Sequence, residues 1–233
     1  QTSALRSLIS ISSGIPLPRL INSHILQNLT VLELVDAGLG SIDDIVQKLG
    51  DSAIRELNFS SNDLANDVFE HLLPIMKHLR ALNLENNNLS DDCSQNLCSM
   101  FVRGNLLRLN LAGNSLAGAT SFQPLIEEKI GLSDLMELNL SNLHLLESLS
   151  LEAFRSLGRF LTVLDISKSG VNDAGVQELA HALEDGSARL RNLNLAGNKF
   201  GNAGLEALCS VLRRNVAVML LVLNFVRNNF AKL

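Results

Sequence analysis

Leucine and asparagine recur along the chain in one spacing, Leu-x-x-Leu-x-Leu-x-x-Asn-x-Leu or a close relative of it. Eight copies begin 25 to 30 residues apart, with first apolar residues at Leu29, Ile54, Leu79, Leu106, Leu135, Leu161, Leu190 and Leu220. Repeats of this length are typical of solenoids, in which each unit contacts its neighbours. The pattern predicts one continuous array over residues 29–233, preceded by a degenerate N-terminal repeat or cap over residues 1–28.

Each unit divides into a strand and a helix. The Leu-x-Leu alternation directs both leucines to one side of a short strand. In five units, the following segment has the apolar spacing of one helical face. The predicted faces are Ile42, Ile45, Val46 and Leu49; Phe69, Leu72, Leu73 and Met76; Leu97, Cys98 and Phe101; Val176, Leu179, Ala180 and Leu183; and Leu205, Leu208, Cys209 and Leu212. Strands about 4.8 Å apart, backed by bulkier helices, form a stack that must curve.

This arrangement resembles the ribonuclease-inhibitor type of leucine-rich repeat, most closely over Val171 to Leu183 and Phe200 to Leu212. The resemblance spans about residues 29 to 230 and implies an α/β fold of about eight repeats. That fold is a curved right-handed horseshoe with a parallel concave β-sheet and outer helices. In this family the Asn of the pattern turns inward and bonds the backbone of neighbouring units. The matching residues are Asn62, Asn87, Asn114, Asn198 and Asn228.

Three copies lack this asparagine and have Ala37, Leu143 or Ser169 in its place. Because a leucine cannot make the inward hydrogen bonds, we expect an irregular turn at Leu143. Phe122 and Pro124 add to the irregularity of the surrounding units. The segment 117–150 is therefore a second candidate contact surface.

The primary candidate surface is the outward side of the strands. Its three columns hold the residues before, between and after the last two leucines of each Leu-x-x-Leu-x-Leu. The middle column reads Glu33, Asn58, Asn83, Asn110, Asn139, Asp165, Asn194 and Asn224. Such a ladder is commonplace in these repeats, where it stabilises the sheet, and it also offers hydrogen bonds to a partner.

The acid bias of these columns is less generic. Their charged residues are Glu33, Glu56, Glu85, Glu137, Asp165 and Arg108, a net charge of −4, while the whole chain has −5. Such a face attracts a basic protein segment and repels nucleic-acid phosphates. The predicted partner-binding residues are Glu33, Glu56, Asn58, Asn83, Glu85, Arg108, Asn110, Glu137, Asn139, Asp165, Asn194 and Asn224.

Two functions follow from the resemblance. The first is a non-catalytic protein-protein interaction module, a scaffold within a larger protein, that binds a partner on the concave face. The alternative is regulation of an enzyme, as in family members that are GTPase activators or enzyme inhibitors. Stimulated GTP hydrolysis by a small GTPase would distinguish the second function from the first.

The sequence favours neither catalysis nor a bound cofactor. It contains no glycine-rich phosphate loop and no nucleophile elbow. Cys98 and Cys209 occupy equivalent positions among leucines and are expected to be core thiols, and the five histidines lie in different units, which disfavours a metal site. No apolar stretch approaches the roughly 20 residues of a membrane span. Three cysteines without cysteine-rich caps indicate an intracellular protein, and the oligomeric state stays open.

Overall fold

The computed structural model describes residues 7–11, 26–50, 52–103, 105–116, 134–143, 161–184, 189–214 and 222–230. These residues contain one open sheet of nine parallel strands, which follow one another across the sheet in chain order. The strands are β1 Ser7–Ile11, β2 Val31–Val35, β3 Glu56–Asn58, β4 Ala81–Asn83, β5 Arg108–Asn110, β6 Glu137–Asn139, β7 Val163–Asp165, β8 Asn192–Asn194 and β9 Val222–Asn224. This is the solenoid order that the repeat pattern predicts.

The register of the sheet aligns equivalent positions of successive units. Leu32 of β2 lies opposite Leu57 of β3, which in turn lies opposite Leu82 of β4. The same correspondence continues to Leu223 of β9, and β1 joins the other edge with Leu8 opposite Leu32. The outward columns read from the sequence are therefore continuous rows across the sheet.

Helices occupy the five intervals in which the apolar spacing predicts them. They are α1 Asp43–Leu49, α2 Val68–Leu72, α3 Ser94–Arg103, α4 Asp173–Glu184 and α5 Asn202–Arg214. A short 3₁₀ turn, Asp91–Cys93, precedes α3. The strand leucines and the apolar helix residues share one hydrophobic core along the array, in which Phe59, Phe69 and Phe200 are fully buried.

Two predicted helical faces differ in detail. Helix α2 ends at Leu72 and does not continue to Met76, because Pro74 lacks the N–H that would continue the helical hydrogen bonding. Met76 is still buried, although it lies in a turn.

In α5 the prediction of a core thiol at Cys209 is wrong, because this side chain is only half-buried. The buried residues of α5 are Gly204, Leu208 and Val211. Gly204 lies so close to Asp173 that an added Cβ would be 2.9 Å from its Oδ1 atom, so the helix presents the glycine face inward. The side chain of Cys98 lies outside the described residues.

A left-handed turn follows each strand from β2 to β9. The eighth residue of every unit has a φ between 49° and 68°, although only Gly113 and Gly197 are glycines there. Asn142, next to Leu143, has this conformation too, so the irregular turn expected at Leu143 is not observed. The turn N–H groups donate to the next unit, as Ser61 does to the Glu85 carbonyl at 2.8 Å and Asn142 to the Ser167 carbonyl at 2.8 Å. These inter-unit bonds hold residues of many types in a conformation that favours glycine.

The inward asparagines bond the backbone as predicted. Asn87 accepts from the N–H groups of Asn62 and Leu64 at 3.2 and 2.9 Å, and its Nδ2 donates to the carbonyls of Phe59, Leu84 and Glu85. Asn62, Asn114 and Asn198 repeat this pattern. Asn228 donates through Nδ2, but its buried Oδ1 has no partner among the described residues.

Ser169 occupies the asparagine position of its unit and makes similar inter-unit hydrogen bonds with a shorter side chain. Its hydroxyl donates to the Leu140 and Ser167 carbonyls at 2.9 and 3.1 Å and accepts from the Leu143 N–H at 3.4 Å. Leu143 itself is buried in the core. The Ser169 hydroxyl therefore ties the unit containing Leu143 to the next one, which explains why the turn at Leu143 stays regular.

Candidate functional site: the strand face

The three outward columns of β2 to β9 form one surface, the strand face. All twelve residues predicted to bind a partner lie on it, and none of them is buried. A depression of about 430 Å³ covers β2 to β7 and is lined by nine of the twelve. These nine are Glu33, Glu56, Asn58, Asn83, Arg108, Asn110, Glu137, Asn139 and Asp165. Glu85, Asn194 and Asn224 lie on the strand face outside the depression.

The middle column has a clear structural role. In seven of its eight residues the Oδ1 atom accepts a hydrogen bond from the backbone N–H two residues later, at 2.9 to 3.3 Å. Such side-chain bonds satisfy the N–H group at the start of the left-handed turn. These residues are Asn58, Asn83, Asn110, Asn139, Asp165, Asn194 and Asn224. The Oδ1 half of the ladder is therefore occupied within the protein.

The Nδ2 groups of the ladder are only partly occupied. Asn110 donates to Glu85 at 3.0 Å, and Asn194 donates to Asp165 at 2.8 Å. Asn58 makes a longer contact of 3.5 Å with Glu33. Within the described chain, the Nδ2 groups of Asn83 and Asn139 have no hydrogen-bond partner. Both residues line the depression, where these donors are available to a bound molecule.

Charges on the strand face are arranged around a single arginine. The Nη2 atom of Arg108 lies 3.0 Å from Oε1 of Glu56, and both side chains are close to half-exposed. Glu137, the neighbour of Arg108 in the sheet register, forms no ion pair among the described residues. One glutamate of the depression is therefore neutralised internally, while Glu33, Glu137 and Asp165 keep it negative.

The three outward columns leave out five charged residues on the turns that follow the strands. Asp36 and Asp63 belong to the first two units, whereas Lys168, Lys199 and Arg227 belong to the last three. All five are exposed. They occupy the eighth or tenth position of their units. Extending the column reading by these two positions would have found them, because the same register carries through the turn.

A polar contact on the helix side joins α1 and α2. Nδ1 of His71 on α2 contacts the Asp43 carboxylate of α1, and Nε2 of His71 lies 3.4 Å from Asp67. The three side chains join two adjacent units. Within the parts of the chain that the structure describes, no group of three or more His, Cys, Asp or Glu side chains could hold a metal ion.

No helix among the described residues has the length and apolar character needed to cross a membrane. The segment 117–150, predicted as a second contact surface, lies outside the described residues for the most part, since residues 117–133 and 144–150 are not among them. The strand face is thus the candidate site that the structure describes in detail.

Comparison with known proteins agrees with this architecture. A family model described as "Leucine Rich repeat" matches residues 76–92, 159–180 and 188–209. The chain is 33% identical over 188 residues to the human protein "NACHT, LRR and PYD domains-containing protein 13". That alignment covers 77% of this chain but only 18% of the relative.

Solved structures with the same fold come from distant proteins. An internalin from Listeria monocytogenes matches with a TM-score of 0.61 and 19% identity, covering 90% of this chain and 51% of the internalin chain. TLR13 in a complex with ssRNA13 matches with a TM-score of 0.59 and 18% identity, over 99% of this chain and 37% of the other.

The Arabidopsis receptor kinase HAESA, solved in complex with the peptide hormone IDA and the co-receptor SERK1, matches with a TM-score of 0.52 and 20% identity. The match covers 98% of this chain and 35% of the HAESA chain. Identities this low support the fold alone. The recurring pattern, the nine-stranded parallel sheet and the matched segments together make this chain a leucine-rich repeat protein.

Proposed function

We propose that the chain is a non-catalytic protein-interaction module that binds a basic segment of a partner protein on the strand face. The observation that carries the proposal is the depression over β2 to β7, which exposes several carboxylates and two amide donors without partners among the described residues. HAESA, one of the proteins with this fold, is solved with a peptide hormone and a co-receptor.

A basic partner fits the charges of the depression. Glu33, Glu137 and Asp165 line it, while Arg108, the one cation among its described lining residues, is engaged by Glu56. Lysine or arginine side chains of a partner would find carboxylate acceptors there, and charge-assisted bonds are stronger than neutral ones. A phosphate backbone would meet net negative charge, so we infer a protein partner and no direct nucleic-acid contact.

We also infer the ribonuclease-inhibitor subtype and an intracellular location. The subtype is supported by α4 and α5, full helices of 12 and 13 residues that each follow a strand and its turn. The location is inferred from the three cysteines of this sequence, an odd number that cannot all pair within it.

The test is affinity capture from cell lysate with three forms of the chain. A strand-face variant combines Glu56→Lys, Glu85→Lys and Glu137→Lys. A matched helix-side variant makes the same charge change with Asp44→Lys, Glu70→Lys and Glu206→Lys, all at exposed positions. Circular dichroism first establishes that both variants are folded.

The captured protein is then purified and its affinity for each form is measured. We expect a partner with a basic segment to bind the unchanged chain and the helix-side variant equally, and to lose at least about tenfold in affinity for the strand-face variant. A partner that binds all three forms equally would contradict the proposal and move the site away from the strand face.

A further inference from the structure

The charge of the binding surface changes sign along the array. This surface consists of the strand face and the turn edge, which we define as the eighth and tenth residues of each unit. The units of β2 to β4 carry five carboxylates and no cation on these positions: Glu33, Asp36, Glu56, Asp63 and Glu85. The units of β7 to β9 carry three cations against one carboxylate: Lys168, Lys199, Arg227 and Asp165. The first end is strongly acidic and the last end is basic.

The contrast persists when the opposite flank of the strands is included. The residue before each strand adds Arg55 and Arg80 at the acidic end and Arg191 at the basic end. The net charges of the two ends then become −3 and +3 among the described residues. The middle units, with Arg108 and Glu137, have no net charge on these positions.

The cations of the basic end form no ion pairs with carboxylates among the described residues. Lys168, Lys199 and Arg227 are exposed, and none of them pairs with a carboxylate among the described residues. Asp165 forms no ion pair with them among the described residues; its two oxygens accept from the Ser167 N–H and from Asn194.

The side chain of Lys168 lies against the neighbouring unit at the turn edge. A Cβ added to Gly197 would be 3.1 Å from Cγ of Lys168, so the side-chain stem of the lysine lies across the glycine of the next unit. Gly197 has a φ of +68°, which is also the reason a glycine suits this position. The stem of Lys168 therefore lies along the edge, and the residue as a whole is exposed.

We propose that the partner segment is bipolar: its basic residues bind over β2 to β4 and its acidic residues bind at the turn edge of β7 to β9. The proposal rests on the proposed function and adds a fixed orientation to it. The centres of the two ends, at β3 and β8, are five strand spacings or about 24 Å apart. A partner needs about seven residues between its two charge centres if it is extended, or about 16 if it is helical.

The opposite orientation is disfavoured at both ends, since it places like charges next to each other. The separation of about 24 Å exceeds the Debye length of about 8 Å at physiological salt, so each end of the partner is recognised independently. A uniformly basic segment would bind the acidic end but would be repelled by the other. Charge order, and not only total charge, therefore selects the partner.

Synthetic peptides test the order directly. The bipolar peptide has four lysines and four glutamates separated by a Gly-Ser-Gly linker. Its control has the same composition with lysine and glutamate alternating, and octalysine is the third peptide. Affinities are measured by fluorescence anisotropy at physiological salt, where the Debye length of about 8 Å separates the two ends. A photo-crosslinker beside the lysines of the bipolar peptide reports where that end lies.

We expect the bipolar peptide to bind about tenfold more tightly than the alternating peptide and to crosslink to the units of β2 to β4. The variant Lys168→Glu, Lys199→Glu, Arg227→Glu is expected to weaken the bipolar peptide about tenfold and to strengthen octalysine binding. Equal binding of the bipolar and alternating peptides, or crosslinks at both ends, would overturn the inference.

The two proposals fail in different ways. If octalysine binding depends on Glu56, Glu85 and Glu137 while the basic-end variant changes nothing, the proposed function stands and the bipolar partner is rejected. If neither the strand-face variant nor the basic-end variant affects any peptide, the strand face is not a charge-dependent binding surface and both proposals fail.

Discussion

Arg108 reaches over a whole strand to pair with Glu56, since its Nη2 atom lies 3.0 Å from the glutamate Oε1 while Ala81 of β4 lies between them. The small side chain of Ala81 leaves the gap through which the pair forms. Glu137 lies opposite Arg108 in the sheet register but does not form an ion pair with it. Arg108, the one cation among the described residues that line the depression, is thereby directed toward the acidic end of the strand face.

The first prediction concerns this ion pair. Arg108→Gln should change the free energy of unfolding by less than about 1 kcal/mol, because exposed ion pairs contribute little. It should raise the affinity of the strand face for octalysine, because Glu56 is released to bind it. Thermal unfolding and fluorescence anisotropy measure the two effects. A large loss of stability with unchanged affinity would show that the pair is structural and has no part in binding.

A second prediction concerns the buried, inward-facing asparagines of the repeat pattern. Asn87→Ala removes five hydrogen bonds and leaves the N–H groups of Asn62 and Leu64 without an acceptor. We expect the free energy of unfolding to fall by about 3 kcal/mol, measured by urea denaturation. Asn87→Ser is the control, because Ser169 performs the same link with a hydroxyl in another unit. Equal losses in the two variants would contradict the hydrogen-bonding explanation.

A third prediction separates backbone strain from steric contact in the turns. Gly38 and Gly113 have nearly the same φ, +67° and +66°. An added Cβ meets nothing within 4 Å at Gly38, but at Gly113 it would be 2.0 Å from Oδ1 of Asn86. Gly38→Ala should cost about 1 kcal/mol from the left-handed backbone alone. Gly113→Ala should cost more in denaturant unfolding, because Asn86 must also move, and an equal cost would argue against that contact.

A fourth prediction concerns a helix cap supplied by the neighbouring unit. Oδ1 of Asp173, at the start of α4, accepts from the N–H groups of Gly201 and Gly204 at 2.8 and 2.7 Å. Asp173→Ala should cost about 1 to 2 kcal/mol of stability, in the range of other helix caps. Hydrogen exchange at the start of α5 should increase in the same variant.

The control for this cap is Asn202→Ala. Asn202 has the equivalent place in the next unit, but its side chain is exposed and caps no helix among the described residues. Its replacement should change the free energy of unfolding by less than about 0.5 kcal/mol. If both variants behaved alike, the cross-unit bonds of Asp173 would not stabilise the start of α5.

Sequence periodicity determined the strands, the five helical intervals and the inward asparagines. A short strand can bury leucines on one side only in the Leu-x-Leu register, and a buried amide must find backbone partners. These constraints act locally or between adjacent units, so they are visible in a single repeat. That is why Leu57 and Asn87 could be placed from the sequence before their neighbours were known.

Contacts between units were decided by the tertiary structure. The partner of Arg108 depends on the size of Ala81, the burial of Cys209 depends on how Gly204 packs against Asp173, and the regular turn at Leu143 depends on the hydroxyl of Ser169 in the following unit. Each of these contacts joins residues about one or two repeats apart. At that distance several neighbours are compatible with the sequence, and the size and length of the side chains decide which of them are in contact. The pattern of one repeat cannot encode that choice, because it is made by the geometry of the units stacked together.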